Sequence, residues 1–188
     1  SIYDYFRQQF AQVTNPPIDS LRESSVMSLE TCFGPELNIF EETQDHARRI
    51  VSTSPVLSHK KLTSLLKNPY FKVESFNLIF SPKVQLQDAL DDLTQKVVQA
   101  VKKGVVIIHL NEILPKGDSL SINALLATGC IHQELVKLGL RSDANLIISS
   151  ATARDTHQIA CLISFGATAV YPWLAFQIIL DLTYRNEL

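Results

Sequence analysis

The sequence predicts an α/β fold: a partial (β/α) barrel-like domain with mostly parallel strands and about four regular βα units in its C-terminal part. Three observations carry this expectation. From about residue 73, short β-rich apolar runs alternate with amphipathic stretches, the pattern of strands joined by crossover helices. The runs are apolar at consecutive positions, as strands covered on both faces of a parallel sheet must be. A closed eight-unit barrel needs about 250 residues, and this chain has 188.

In chain order, SIYDYFRQQF places Tyr5, Phe6 and Phe10 at helical spacing. In TNPPID, Asn15 precedes a proline and is pushed toward extended geometry. Pro16 and Pro17 have no N–H, so Thr14 to Ile18 should run extended with unpaired carbonyls. Ser20-x-x-Glu23 reads as a capping box that opens a short helix. Arg22 falls in the first turn of that helix, where its charge opposes the helix dipole, so a carboxylate partner is expected from Asp19, Glu30 or Asp4. Arg22 and Glu23 thus read as a structural clamp on a proline-rich strand with few donors of its own. VMSLET (26–31) suits a strand, while QDHARRI and HKKLTSLLK suit short helices separated by STSPVLS. Lys60 and Lys61 form a solvated helix face.

FNLIF (76–80), VVIIHL (105–110), NLIIS (145–149) and TAVY (168–171) are the predicted strands of the regular part. The three helical stretches between them end at Gly104, Gly139 and Gly166, where glycine suits the left-handed position just past a helix. The chain therefore reads as a single domain over 1–188, with an irregular α/β part at 1–72 and βα repeats at 73–188.

Composition excludes some functions. Seventeen basic and nineteen acidic residues leave a formal charge of -2, no footprint for nucleic acid or an anionic membrane. No apolar run approaches the roughly 18 to 20 residues of a membrane span, and the N-terminus lacks the order of a signal peptide, so a cytoplasmic location is expected. Cys32, Cys130 and Cys161 are odd in number and far apart, which reads as buried, reduced thiols.

Ligands of parallel α/β folds sit at the carboxyl ends of the strands. Those ends read His109-Leu110-Asn111-Glu112, Ser149-Ser150-Ala151-Thr152 and Tyr171-Pro172-Trp173. His109 and Glu112 suit either an acid/base pair or a solvated loop. SSATARD, with Arg154, suits either a phosphate at a helix N-terminus or a cap in which Thr152 and Asp155 form a capping box. His132 and His157 lie inside amphipathic helices without metal-ligand spacing. No catalytic, cofactor-binding or metal residue is assigned.

Several strings together resemble one family. YDYFRQQFAQVTNPPIDSLRE, VMSLET, SPVLSHKKL, INALLATGCIHQELVKLGLR and FGATAVYPWLAF look like the central domain of the glutamate synthase large subunit, in order and over nearly the whole chain. TNPPID-x-x-RE and the ending Gly166 to Ala175 are the most specific of them. The chain departs from the family at Ile131-His132-Gln133-Glu134, usually a histidine-rich run, and at His109 to Glu112, usually a Ser-Asp-Arg-like element.

The resemblance implies a non-catalytic linking domain, a fragment of the family's central domain. Its expected partners are the amidotransferase and FMN-binding domains of the same polypeptide, and it helps wall an ammonia tunnel. The complete enzyme makes glutamate from glutamine and 2-oxoglutarate. FMN and the iron-sulfur cluster belong to another domain, so no cofactor is expected in this chain. For a eukaryotic parent the resemblance also allows a plastid location. Thr14, Asn15, Pro16, Pro17, Ile18 and Asp19 match the segment that lines the family's tunnel entrance. An isolated piece is expected to expose Tyr3, Tyr5, Phe6 and Trp173 and to self-associate. The alternative is a small α/β enzyme or anion-binding domain that uses the strand ends.

Overall fold

The computed structural model describes residues 1–7 and 18–187. Phe10 and the predicted extended stretch Thr14, Asn15, Pro16 and Pro17 lie outside the described residues.

After a 3-10 helix at Ile2–Phe6, the elements run α1 (Ser20–Val26), β1 (Thr31–Phe33), a 3-10 turn (Gln44–Ala47), β2 (Ile50–Ser52) and α2 (His59–Leu66). The regular part follows: β3 (Lys72–Asn77), β4 (Ile79–Phe80), α3 (Leu86–Lys102), β5 (Val105–Asn111), β6 (Leu120–Ser121) and α4 (Ala124–Lys137). A short 3-10 turn then leads to β7 (Asn145–Ser149), α5 (Thr156–Ser164), β8 (Ala169–Tyr171) and α6 (Trp173–Tyr184).

Four parallel strands form the main sheet in the order β3-β5-β7-β8. The order advances in one direction with the chain, as in a barrel wall, and does not reverse as in a doubly wound sheet. Among the described residues the sheet does not close. Its outer face, including Ile108, Leu110, Leu146, Ile148 and Val170, packs on α3, α4 and α5 in the larger core. All three crossovers therefore lie on one side.

In a complete barrel the other face would line the interior. Here the N-terminal part covers it: Phe33 of the β1–β2 hairpin, Leu57, and Leu62 and Leu65 of α2 pack on Ile107, Ile147, Ala169 and Tyr171. Residues 55–57 also take up the outer edge of β8, with Val170 N donating to Pro55 O and Leu57 N donating to Val170 O, both at 2.8 Å. The irregular first part thus supplies the second layer that a four-stranded sheet needs.

Gly104, Gly139 and Gly166 all have positive φ, at 82°, 69° and 114°, so each helix ends where the sequence places its stop. Gly166 is doubly constrained, because a Cβ there would collide with the His132 ring.

Other expectations are corrected. FNLIF is not one strand: Leu78 breaks it, giving its N–H to Asn111 O and its carbonyl to Ile122 N, and β4 turns away to pair antiparallel with β6. VMSLET does not form a strand, since α1 runs through Val26 and β1 begins at Thr31. The cap of α1 is Asp19, not Ser20; its carboxylate accepts from Leu21 N at 3.0 Å and Arg22 N at 2.9 Å. Asp155 alone caps α5, accepting from Gln158 N at 2.8 Å, because Thr152 is engaged elsewhere. Cys32 and Cys130 are exposed, and of the three thiols only Cys161 is buried. Tyr3 is buried and belongs to the main core, whereas Tyr5 and Phe6 are exposed and Trp173 is half-buried.

Candidate functional site

The carboxyl ends of β5, β7 and β8 open into a cleft of 780 Å³, lined among others by His59, His109, Ser149, Tyr171 and Trp173. Register places these side chains. Ser75, His109, Ile147 and Ala169 stand in one row across the inner face, and Asn77, Asn111, Ser149 and Tyr171 in the next row toward the mouth.

His109 is buried between two hydroxyls, with Nδ1 3.0 Å from Ser75 Oγ and Nε2 2.7 Å from Ser149 Oγ. Burial pushes its pKa down to about 4, so the imidazole is neutral at pH 7. Around it, Asn111 Nδ2 donates to Asn77 Oδ1 at 3.2 Å, and the Tyr171 hydroxyl lies 3.5 Å from His59 Nδ1.

Glu112, the residue after β5, is only 2% exposed and does not reach His109. Its carboxylate enters the loop after β7. Oε2 accepts from Ser150 Oγ at 2.8 Å, Ala151 N at 2.8 Å and Thr152 N at 3.0 Å. The Thr152 hydroxyl approaches both oxygens, at 3.1 and 3.0 Å, and Ala124 N at the start of α4 donates to Oε1 at 3.2 Å. The Glu112 carbonyl accepts from the Trp173 indole at 3.0 Å. The Tyr3 hydroxyl, 3.3 Å from Thr152 Oγ1, extends the web to the N-terminal 3-10 helix. A carboxylate buried this deeply is tolerable because donors surround it.

Ser149 and His109 resemble a nucleophile and its base, with Ser75 in the orienting position. The rest of an acyl-transfer site is spoken for. Ala151 N and Thr152 N are given to Glu112, and Ser150 N donates to Tyr171 O at 2.9 Å, so these amides cannot stabilise a developing oxyanion. The imidazole, with its low pKa, is also a weak base. The arrangement fastens loops to strand ends.

Arg154, the candidate phosphate ligand, is exposed, and its N–H donates to Gln158 Oε1 at 2.7 Å. His157 Nε2 lies 2.9 Å from Tyr3 O. His132 Nδ1 accepts from Arg141 Nε at 3.0 Å; burial, with the Arg141 charge, holds the His132 pKa down. Arg141 also donates to Ala144 O at 2.6 Å and Gly166 O at 2.8 Å. Among the described residues no cluster of three or more His, Cys, Asp or Glu has metal-binding geometry.

Of the sequence-expected lining, Ile18 and Asp19 are described, and both are exposed. Asp19 Oδ2 accepts from Arg22 Nε at 2.6 Å, which selects one of the three carboxylates expected for Arg22. Glu23 sits in the first turn and takes no capping role. Sequence reasoning misses Ser75, which the pairing of β3 with β5 brings to His109, and His59, which the packing of α2 brings to the cleft. The one signal for Ser75 is the polar alternation of residues 75 and 77, a weak one.

The family model of the glutamate synthase central domain matches residues 1–188. Among curated relatives, the chain is 38% identical over 184 residues to the chloroplastic ferredoxin-dependent glutamate synthase of Spinacia oleracea, covering 94% of this chain and 11% of the relative. It is 35% identical over 190 residues to the glutamate synthase [NADPH] large chain of Bacillus subtilis, covering 100% of this chain and 12% of the relative. To the glutamate synthase [NADH] of Saccharomyces cerevisiae it is 36% identical, covering 94% and 8%. The chain thus spans about a tenth of the length of these relatives. A solved flavocytochrome b2 mutant with pyruvate bound aligns over 68% of this chain and 33% of its own, with TM-score 0.39 and 17% identity, a likeness that carries no argument.

Proposed function

The chain belongs to the glutamate synthase central-domain family, and from that premise we propose that it is the non-catalytic linking body of a longer glutamate synthase polypeptide. In this reading it stands between a glutamine amidotransferase unit and an FMN-binding synthase unit, in cytoplasm or plastid, and helps wall the path of ammonia between them. The parent enzyme makes glutamate from glutamine and 2-oxoglutarate; FMN and an iron-sulfur cluster belong to its other domains.

The observation that carries the reading is the state of the strand ends. Where a catalytic barrel presents reactive groups, this chain spends a buried carboxylate, the hydroxyls of Ser150 and Thr152 and three backbone amides on one another. A closed hydrogen-bond web gives rigidity and leaves no free acid, base or anion-binding amide among the groups it uses. In this reading Thr14 to Asp19 contribute acceptors to the ammonia path, and Arg22 holds Asp19 at the end of that stretch.

Measurements on the purified chain and on the longer polypeptide test it. The purified chain is expected to hydrolyse no glutamine and to lose any flavin on desalting; a flavin spectrum that survives, or glutaminase activity, overturns the non-catalytic reading. Labelling of Ser149 by a serine-directed fluorophosphonate, abolished by Ser149→Ala, would favour a hydrolase instead. In the longer polypeptide, Asn15→Ala is expected to let glutamine hydrolysis outrun glutamate formation. A ratio unchanged from that of the parent removes the wall from the proposal.

A further inference from the structure

Among the described residues helix α6 is the most apolar helix, and none of its residues is buried. Its base is fixed: the Trp173 indole donates to Glu112 O at 3.0 Å, and the Phe176 ring lies 5.9 Å from that of Tyr171. Beyond that turn the apolar side chains meet solvent. Ile178, Ile179 and Leu180 are 42%, 50% and 50% exposed, and Tyr184 is 84% exposed.

Consecutive helix residues point about 100° apart, so three exposed apolar neighbours in a row leave no single stripe. A helix apolar around most of its circumference, as α6 is apart from the side that carries Gln177 and Asp181, belongs inside a larger core or a membrane. Twelve residues fall well short of the roughly 20 that cross a bilayer. A second copy of this chain, meeting α6 across a two-fold axis, would cover one stripe and leave the others wet. What remains is an occupant that encloses the helix on several sides, and the relatives supply one. This chain spans only 11% of the spinach relative, so the longer polypeptide carries far more protein than these 188 residues. Covalent linkage would keep such a domain at an effective concentration of about millimolar.

We infer that α6 is an insertion helix, seated by Trp173 on the central domain and enclosed over Ile178, Ile179, Leu180 and Tyr184 by another domain of the same polypeptide. The inference rests on the linking role proposed above and names the element that makes the link. The occupant presents an apolar groove with small polar groups for Gln177 and Asp181, the two residues that interrupt the apolar surface.

The test is hydrogen exchange of residues 177–184, measured in the 188-residue chain and in the longer polypeptide. In the chain alone these amides should exchange within about tenfold of an unprotected helix end. In the longer polypeptide they should slow by about 100-fold or more. Ile179→Glu should leave the melting temperature of the isolated chain unchanged and abolish the added protection in the polypeptide. Equal exchange in both forms overturns the inference. So does protection that arises in the isolated chain as its concentration rises together with a dimer in sedimentation, which would assign the helix to self-association. Glutamine hydrolysis by the isolated chain would sink the non-catalytic reading and leave the exchange result standing, so the two failures are distinguishable.

Discussion

Replacing Glu112 by alanine removes the acceptor shared by Ala124 N, Ala151 N, Thr152 N and the hydroxyls of Ser150 and Thr152. The hydroxyls can rotate to other acceptors or to water. Thr152 N keeps a second acceptor in Ser150 Oγ at 3.2 Å, whereas the amides of Ala124 and Ala151 are left without one. Leaving a buried donor unpaired costs about 1 to 3 kcal/mol, and water entering the vacated space recovers part of it, so a net loss of about 3 to 5 kcal/mol is expected. Glu112→Gln keeps the volume but turns an N–H₂ toward donors, and should lose nearly as much. Urea unfolding followed by the fluorescence of Trp173, the single tryptophan, measures both variants, and exchange at Ser150 to Thr152 reports where the damage lies. A loss below about 1 kcal/mol for both variants, with exchange in that loop unchanged, would refute the claim that this carboxylate fastens the strand ends.

Three further outcomes are expected. Because burial lowers the His109 pKa from 6.5 to about 4, the unfolded chain binds more protons between those values. Stability should therefore fall as pH drops from 6.5 toward 4, by about 3 kcal/mol in all, and His109→Gln should flatten that slope in urea titrations at stepped pH. Gly166→Ala sets a Cβ into the His132 ring at a φ of 114° and should cost about 1 to 3 kcal/mol, read by thermal unfolding together with loss of the Arg141–His132 contact. Arg22→Ala removes only an exposed pair with Asp19 and should leave the melting temperature unchanged; a clear drop would mean that Arg22 also holds a buried partner.

The sequence discloses what repeats and conceals what is shared between distant segments. The βα units are legible because β5, β7 and β8 are buried on both faces and each crossover helix ends on a glycine that needs positive φ. The break at Leu78 is not, since a fully buried leucine that bonds to Asn111 and Ile122 looks like any other residue of an apolar run. Two capping boxes differ from expectation for different reasons. At α1 the carboxylate of Asp19 takes the cap through local bonds to Leu21 N, Arg22 N and Arg22 Nε, whereas at α5 the choice of Asp155 follows a contact made from far away, Thr152 with Glu112. Glu112 after a strand reads as a solvated loop residue. Its burial depends on donors from the loop after β7, a segment about 40 residues further along that comes beside β5 only once the parallel pairing forms.

The same residue bears on how stiff a sheet of four strands can be at its loops. An open parallel sheet is stiff in its hydrogen-bonded interior and weakest at the loops that leave it, which carry most of the variation and motion of such folds. Glu112 removes that weakness at three places. Its carboxylate ties the start of α4 and the loop after β7 to the end of β5, and its carbonyl holds the indole on which α6 begins. Through Thr152 the N-terminal 3-10 helix joins the same web by way of Tyr3. Elements near both ends of the chain are therefore fastened within two hydrogen bonds of one buried side chain. A displacement imposed on either end reaches the other through short, saturated contacts, and little of it is absorbed in loose loops. In a catalytic barrel the loops at these strand ends carry the reacting groups; here Glu112 binds them to one another and to the strand they leave.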